Sequence, residues 1–133
     1  MSQVVIDASY ALACVMPDEQ RPAGMRGVLG SELVAPFIWP LEVASAMRNG
    51  VRRRRFDLAL ARGLCSHLAA LEVELVSPRV NDPLRHLELS TTHDLTPYDA
   101  LYIDMALSRR CPMASHDARL VDAARGLGIE VLN

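Results

Sequence analysis

Residues 4–13 run Val4-Val5-Ile6-Asp7-Ala8-Ser9-Tyr10-Ala11-Leu12-Ala13, and the fold is decided there. A short apolar run that stops at an acid reads as a strand buried on both faces. Good helix formers then carry the chain from Ala8 to Met16, where Pro17 stops them. A buried strand feeding a helix is the first half of a βαβ unit, and the chain repeats the alternation. Leu33-Val34-Ala35 before Pro36 reads as a second strand. A helix is expected from about Phe37 to Arg54, with Leu41, Ala44, Ala46 and Met47 as its apolar face. Another is expected from Asp57 to Leu71, facing the core through Leu58, Ala61, Cys65, Leu68 and Leu71. Glu72 to Val76 alternates polar and apolar, as a half-covered strand does. A helix over Asp82 to His93 would turn Leu84, Leu87 and Leu89 inward. Thr96-Pro97-Tyr98-Asp99 has the form of a helix start running on to about Arg109. A strand at Pro112 to Ser115, a helix from Asp117 to Leu127 and a strand at Ile129 to Leu132 complete the series, with Gly126 and Gly128 at the last turn. Five strands alternating with helices give an α/β class and a mostly parallel sheet covered on both faces. No linker or repeat interrupts it, so residues 1–133 are expected to form one domain.

Composition removes several functions. The chain has 133 residues with 14 basic and 16 acidic groups, a formal charge of −2, and every basic residue is Arg. Without Lys there is no P-loop nucleotide site and no Schiff-base nucleophile. An apolar content of 50% supports a sizeable core. No apolar run approaches the ~20 residues of a membrane span, and no positively charged segment opens a secretory signal. Cys14, Cys65 and Cys111 are widely spaced and read as buried free thiols, with neither a disulfide framework nor a zinc knuckle indicated. A soluble, reduced, cytoplasmic protein is expected.

Four acids stand at strand ends or helix beginnings. Right-handed crossovers bring the carboxyl ends of parallel strands to one edge, where open α/β sheets bind ligands. Asp7 closes the first strand, and Asp117 follows the strand ending at Ser115. Asp99 lies in the first turn of its helix, as does Glu42 after Pro40. Each has a plain structural reading: helix caps for Asp7 and Asp117, a capping-box acid for Asp99, a dipole-favoured surface acid for Glu42. Together they form an all-oxygen set suited to Mg²⁺ or Mn²⁺ and to phosphodiester hydrolysis.

At these residues the sequence resembles the PIN-domain family, and in particular the VapC-type toxins of toxin–antitoxin pairs. The opening segment, Val4 to Ala13, resembles the first family motif, an Asp ending a strand with a hydroxyl residue two places on. Ala35 to Met47 resembles the second, which carries a helical Glu; Thr96 to Leu107 resembles the third; Met113 to Leu120 resembles the last. The resemblance covers nearly the whole chain in the family's motif order. It implies a three-layer α/β/α sandwich, a Mg²⁺- or Mn²⁺-dependent endoribonuclease, a homodimer, and a cognate antitoxin that inhibits it. By position, Asp7, Glu42, Asp99 and Asp117 become the metal-binding acids. Ser115 takes a place more often held by Thr, and Ser9 could orient a carboxylate or cap a helix.

Other features stay open at this level. Asp104 is an extra acid about 140° around the helix from Asp99 and reads as a surface group. His116 reads as a solvated loop residue. Arg48, Arg52, Arg53, Arg54 and Arg55 either favour a helix C-terminus or form a patch for RNA or an acidic antitoxin segment. Trp39 reads as core or interface packing in preference to base stacking, and Tyr98, Leu101, Tyr102 and Ile103 as core. Two alternatives remain: a non-catalytic PIN-like module binding RNA or protein, and an Asp-based phosphatase or receiver-type site. The latter usually employs a Lys, which this chain lacks.

Overall fold

A computed structural model describes residues 2–133. The strands are β1 (Gln3–Ile6), β2 (Glu32–Pro36), β3 (Glu74–Val76), β4 (Met113–Ala114) and β5 (Val131–Leu132). The helices are α1 (Ala8–Val15), α2 (Met25–Leu29), α3 (Trp39–Arg52), α4 (Leu58–Ala69), α5 (Pro83–His93), α6 (Pro97–Arg109) and α7 (Ala118–Gly126). The five strands form one sheet in the order β3-β2-β1-β4-β5, and every pairing is parallel. Val4 aligns with Leu33 on one side of β1, and Ile6 with Ala114 on the other.

That order fixes the layers. The chain moves one way from β1 to β2 to β3, then jumps to β4 and moves the other way to β5. Right-handed crossovers therefore put α1–α4 on one face and α5–α7 on the other. The packing agrees: α1, α3 and α4 contact one another, while α6 contacts α5, α7, β1 and β2. The result is the expected three-layer sandwich. The strand order reverses between β1 and β4, so the carboxyl ends of those two strands flank the crevice where such sheets bind ligands.

Val5, Ile6, Met113, Ala114, Ala100 and Ile103 are wholly enclosed, so the core centres on β1 and β4 beneath α6. Several expected helix faces are rotated. In α3 the buried residues are Trp39, Val43, Met47 and Gly50. Leu41 is 69% exposed, because a residue two places from Trp39 and from Val43 points about 200° away from each. Ala44 is also exposed, and of the expected four only Met47 is fully buried. In α4, Ala61, Leu64 and Leu68 face inward, whereas Leu58 and Cys65 are exposed. In α5 only Leu89 is buried; Leu84 and Leu87, one turn apart on another face, are 63% and 59% exposed. Tyr98 is 61% exposed rather than in the core, while Leu101, Tyr102 and Ile103 are buried as expected. Of the three thiols Cys14 is buried, Cys111 half-buried and Cys65 exposed.

Helix α2 was not anticipated: five residues containing Gly27 carry no helical periodicity, and they bury only Val28. Strand β3 begins at Glu74 rather than Glu72 and is a sheet edge, paired to β2 alone. No described helix is long and apolar enough to cross a membrane.

Candidate functional site

Strand β1 delivers Asp7 to the crevice. Its N–H donates to Ala114 O at 3.1 Å, continuing the ladder to β4, and the chain then turns into α1. The carboxylate is 5% exposed and almost fully engaged. Oδ1 accepts from Tyr10 N at 3.0 Å and from Ser9 Oγ at 2.7 Å; Oδ2 accepts from Ser115 Oγ at 2.7 Å. Burial pushes the Asp7 pKa up, these three hydrogen bonds oppose the rise, and the Asp117 charge adds to it.

Ser115, wholly buried after β4, also accepts from Asp117 N at 3.1 Å, while Ser9 Oγ accepts from His116 N at 2.9 Å. The two hydroxyls thus fasten the start of α1 to the loop after β4, with Asp7 between them. Asp117 in turn caps α7: its Oδ1 accepts from Arg119 N at 3.0 Å and Leu120 N at 3.2 Å.

The third and fourth acids arrive from opposite faces of the sheet. Glu42 lies in the first turn of α3, and its Oε1 accepts a 2.6 Å hydrogen bond from the Tyr102 hydroxyl on α6. Burial raises its pKa and the Tyr102 bond opposes this, with the charges of Asp99, Asp7 and Asp117 adding to the rise. Asp99 sits in the first turn of α6, where its N–H donates to the Thr96 cap at 3.2 Å. Its carboxyl is also raised, by burial first and Asp117 next, against the Thr96 hydrogen bond and the Arg119 charge. The capping roles of Asp7 and Asp117 are real, and they coexist with the repulsion that Asp117 exerts on Asp7, Glu42 and Asp99.

The donor set can be tested for a metal on this chemistry. None of the four acids forms an ion pair among the described residues, and all oxygens present are carboxylate or hydroxyl. Repulsion of this kind is relieved by a hard divalent cation. No three His, Cys, Asp or Glu side chains among the described residues converge on one point tightly enough to enclose an ion. The donor type alone, carboxylate and hydroxyl oxygen, suits a hard divalent cation.

The other expected residues separate. Asp104 pairs with Arg85 at 3.4 Å and contributes to none of the shifted acids. His116 is exposed and sets its ring edge-on to Tyr10, with centroids 5.2 Å apart. Trp39 is buried with an unpartnered indole N–H, out of reach for base stacking. Arg48, Arg52, Arg53 and Arg54 are exposed. Arg55 is committed elsewhere, in a two-point bond to Asp18 at 2.7 and 2.8 Å. A cavity of about 610 Å³, lined in part by Arg79, Arg85, Leu89, Asp104 and Met105, contains none of the four acids.

Two neighbours of the site escaped sequence reading. Tyr102 was expected only as core, yet burial and the adjacent Glu42 push its phenol far above the ordinary range. Arg119 is the cation acting on Asp99; its place in the first turn after Asp117 was the available signal.

Residues 4–126 match the PIN domain. The chain belongs to the PIN-domain family. Among curated relatives, Ribonuclease VapC1 of Mycobacterium tuberculosis is 28% identical over 134 residues, covering 98% of this chain and 97% of that one. Ribonuclease VapC9 of the same organism is 31% identical over 123 residues, covering 92% and 91%. A solved structure, PAE2754 from Pyrobaculum aerophilum, has the same fold with a TM-score of 0.74 at 19% identity, over 98% of this chain and 83% of that one.

Proposed function

We propose that this PIN-domain protein is a Mg²⁺- or Mn²⁺-dependent endoribonuclease of the VapC type, the toxin of a toxin–antitoxin pair. One observation supports the reading: Asp7, Glu42, Asp99 and Asp117 lie on four separate segments near the crevice, and the Asp117 charge helps to raise the pKa values of Asp7, Glu42 and Asp99. Such a cluster is costly unless it serves a cation. Near full-length likeness to proteins named VapC ribonucleases supports RNA as the substrate.

These four acids would hold the metal, which when bound there supplies neutralising charge at a scissile phosphate and a more acidic water. The chain's own residues do the remaining work. Ser115 and Ser9 orient Asp7 through its two oxygens. Arg119 partly offsets the charge of Asp99. Arg48, Arg52, Arg53 and Arg54 are free to meet an RNA backbone or an acidic antitoxin segment. Arg52 lies ten residues beyond Glu42 on α3, about 15 Å along the helix. The exposed Leu84 and Leu87 supply an apolar stripe suited to a homodimer contact. We assign residues 1–133 to one working domain, acting in the cytoplasm with a cognate antitoxin as partner.

The test is cleavage of structured and unstructured RNAs by antitoxin-free protein in Mg²⁺, Mn²⁺ or EDTA, beside Asp99→Asn. Metal-dependent cleavage by wild type alone supports the reading. Equal cleavage by Asp99→Asn, or cleavage that persists in EDTA, overturns it.

A further inference from the structure

Glu42 is held in the cluster by a single hydrogen bond. Asp7 is fixed by three hydrogen bonds and Asp117 by two, whereas the Glu42 carboxylate has one, from the Tyr102 hydroxyl. Its side chain has an additional rotatable bond compared with Asp, and the like charges of Asp99, Asp7 and Asp117 act on it. An unrestrained Glu in that field would swing toward solvent.

Tyr102 is built to prevent this. It stands three residues after Asp99 on α6, so phenol and acid project from neighbouring positions on one helix face. Its ring is 1% exposed and cannot reorient without disturbing the core. The hydroxyl reaches out of that core across the sheet edge and donates to Glu42 Oε1 at 2.6 Å, joining residues 60 positions apart. One oxygen of Glu42 is thereby committed, and Oε2 has no hydrogen-bond partner among the described residues.

We propose that Tyr102 is a positioning residue: its buried hydroxyl holds the Glu42 carboxylate in the acid cluster, where that carboxylate would help to hold a divalent ion. The inference rests on the metal-dependent reading above and adds a residue to it. Groups that orient metal-binding carboxylates typically change metal affinity about 10- to 100-fold when removed.

Tyr102→Phe keeps the ring and deletes only the hydroxyl. The probe is Mn²⁺ alone, with free ion measured by electron paramagnetic resonance and folding followed by circular dichroism. Tyr102→Phe is expected to fold and to bind Mn²⁺ about 10-fold or more weaker than wild type. Glu42→Gln supplies the control. In that background Tyr102→Phe should change Mn²⁺ affinity less than twofold, because the phenol has no carboxylate left to orient. A general packing defect would weaken both backgrounds alike and would overturn the inference. Unchanged Mn²⁺ affinity in Tyr102→Phe overturns it while leaving the functional reading intact. A wild-type protein that binds no Mn²⁺ overturns both. Should Tyr102→Phe fail to fold, the positioning role is refuted in favour of a structural one.

Discussion

Replacing Ser115 with Ala removes one oxygen atom from the centre of the site, and the structure sets the size of the effect. Ser115 Oγ is wholly buried, donates to Asp7 Oδ2 at 2.7 Å and accepts from Asp117 N at 3.1 Å. A hydrogen bond to a charged group contributes about 1.5–3 kcal/mol, and an oxygen of a nearly buried carboxylate has little water to replace the lost partner. The Asp117 N–H is better placed, since that residue is only half-buried and solvent can reach it. A loss of about 2–3 kcal/mol follows. For 133 residues the unfolding entropy is about 0.28 kcal/mol/K, so Tm should fall by about 7–11 °C. The assay is urea unfolding in EDTA at pH 8 by linear extrapolation, with the thermal midpoint as a check. Asp7→Asn and the double variant complete a cycle, in which the two losses should be strongly non-additive. A loss below about 0.5 kcal/mol, or simple additivity with Asp7→Asn, would refute the claim that this hydroxyl holds the Asp7 carboxylate.

Three further outcomes follow from the same geometry. Asp99→Asn removes a charge held in a repulsive setting, so it should abolish RNA cleavage while stabilising the metal-free protein by about 0.5–2 kcal/mol in urea titrations; destabilisation would contradict the repulsion. The raised pKa values of Asp7, Glu42 and Asp99 make the native state bind more protons than the unfolded one above about pH 4, so stability should fall as pH rises through them. Asp18, lowered by Arg55, acts oppositely and loses its contribution only as the solution becomes strongly acidic. Tm in EDTA should therefore decline from mildly acid pH toward pH 8, with Mn²⁺ restoring it most at the high end; a steady rise from pH 5 to 8 would contradict this. Gly50→Ala would drive a methyl group into the Phe56 ring, which is itself packed in the core, at a cost of about 1–3 kcal/mol that Phe56→Leu should partly relieve in calorimetry.

The sheet and the helix starts that carry the four acids were legible because each is written in local chemistry. An apolar run ending in Asp7 and a Thr96-Pro97 start ahead of Asp99 need no distant information. The direction in which a leucine points does need it. Leu84, Leu87 and Leu89 all satisfy a helical apolar pattern, yet the first two lie on a face that none of the described residues covers. Leu41 and Cys65 failed for the same reason, since small residues such as Gly50 and Ala61 took the buried stripes. The Tyr102–Glu42 bond was hidden because it joins two helices on opposite faces of the sheet, and a tyrosine among aliphatic residues reads as filling.

Asp7 bears two obligations that most experimenters would wish to separate. The oxygen that starts α1 through Tyr10 N belongs to the same carboxylate that faces Glu42 and Asp117 in the crevice. An inactive form made by altering Asp7 would therefore also loosen a helix and its tie to the loop after β4. Silence from such a variant would confound lost chemistry with lost architecture. Asp99, whose carboxylate carries no comparable share of the scaffold, is the cleaner place to ask whether losing one acid silences cleavage.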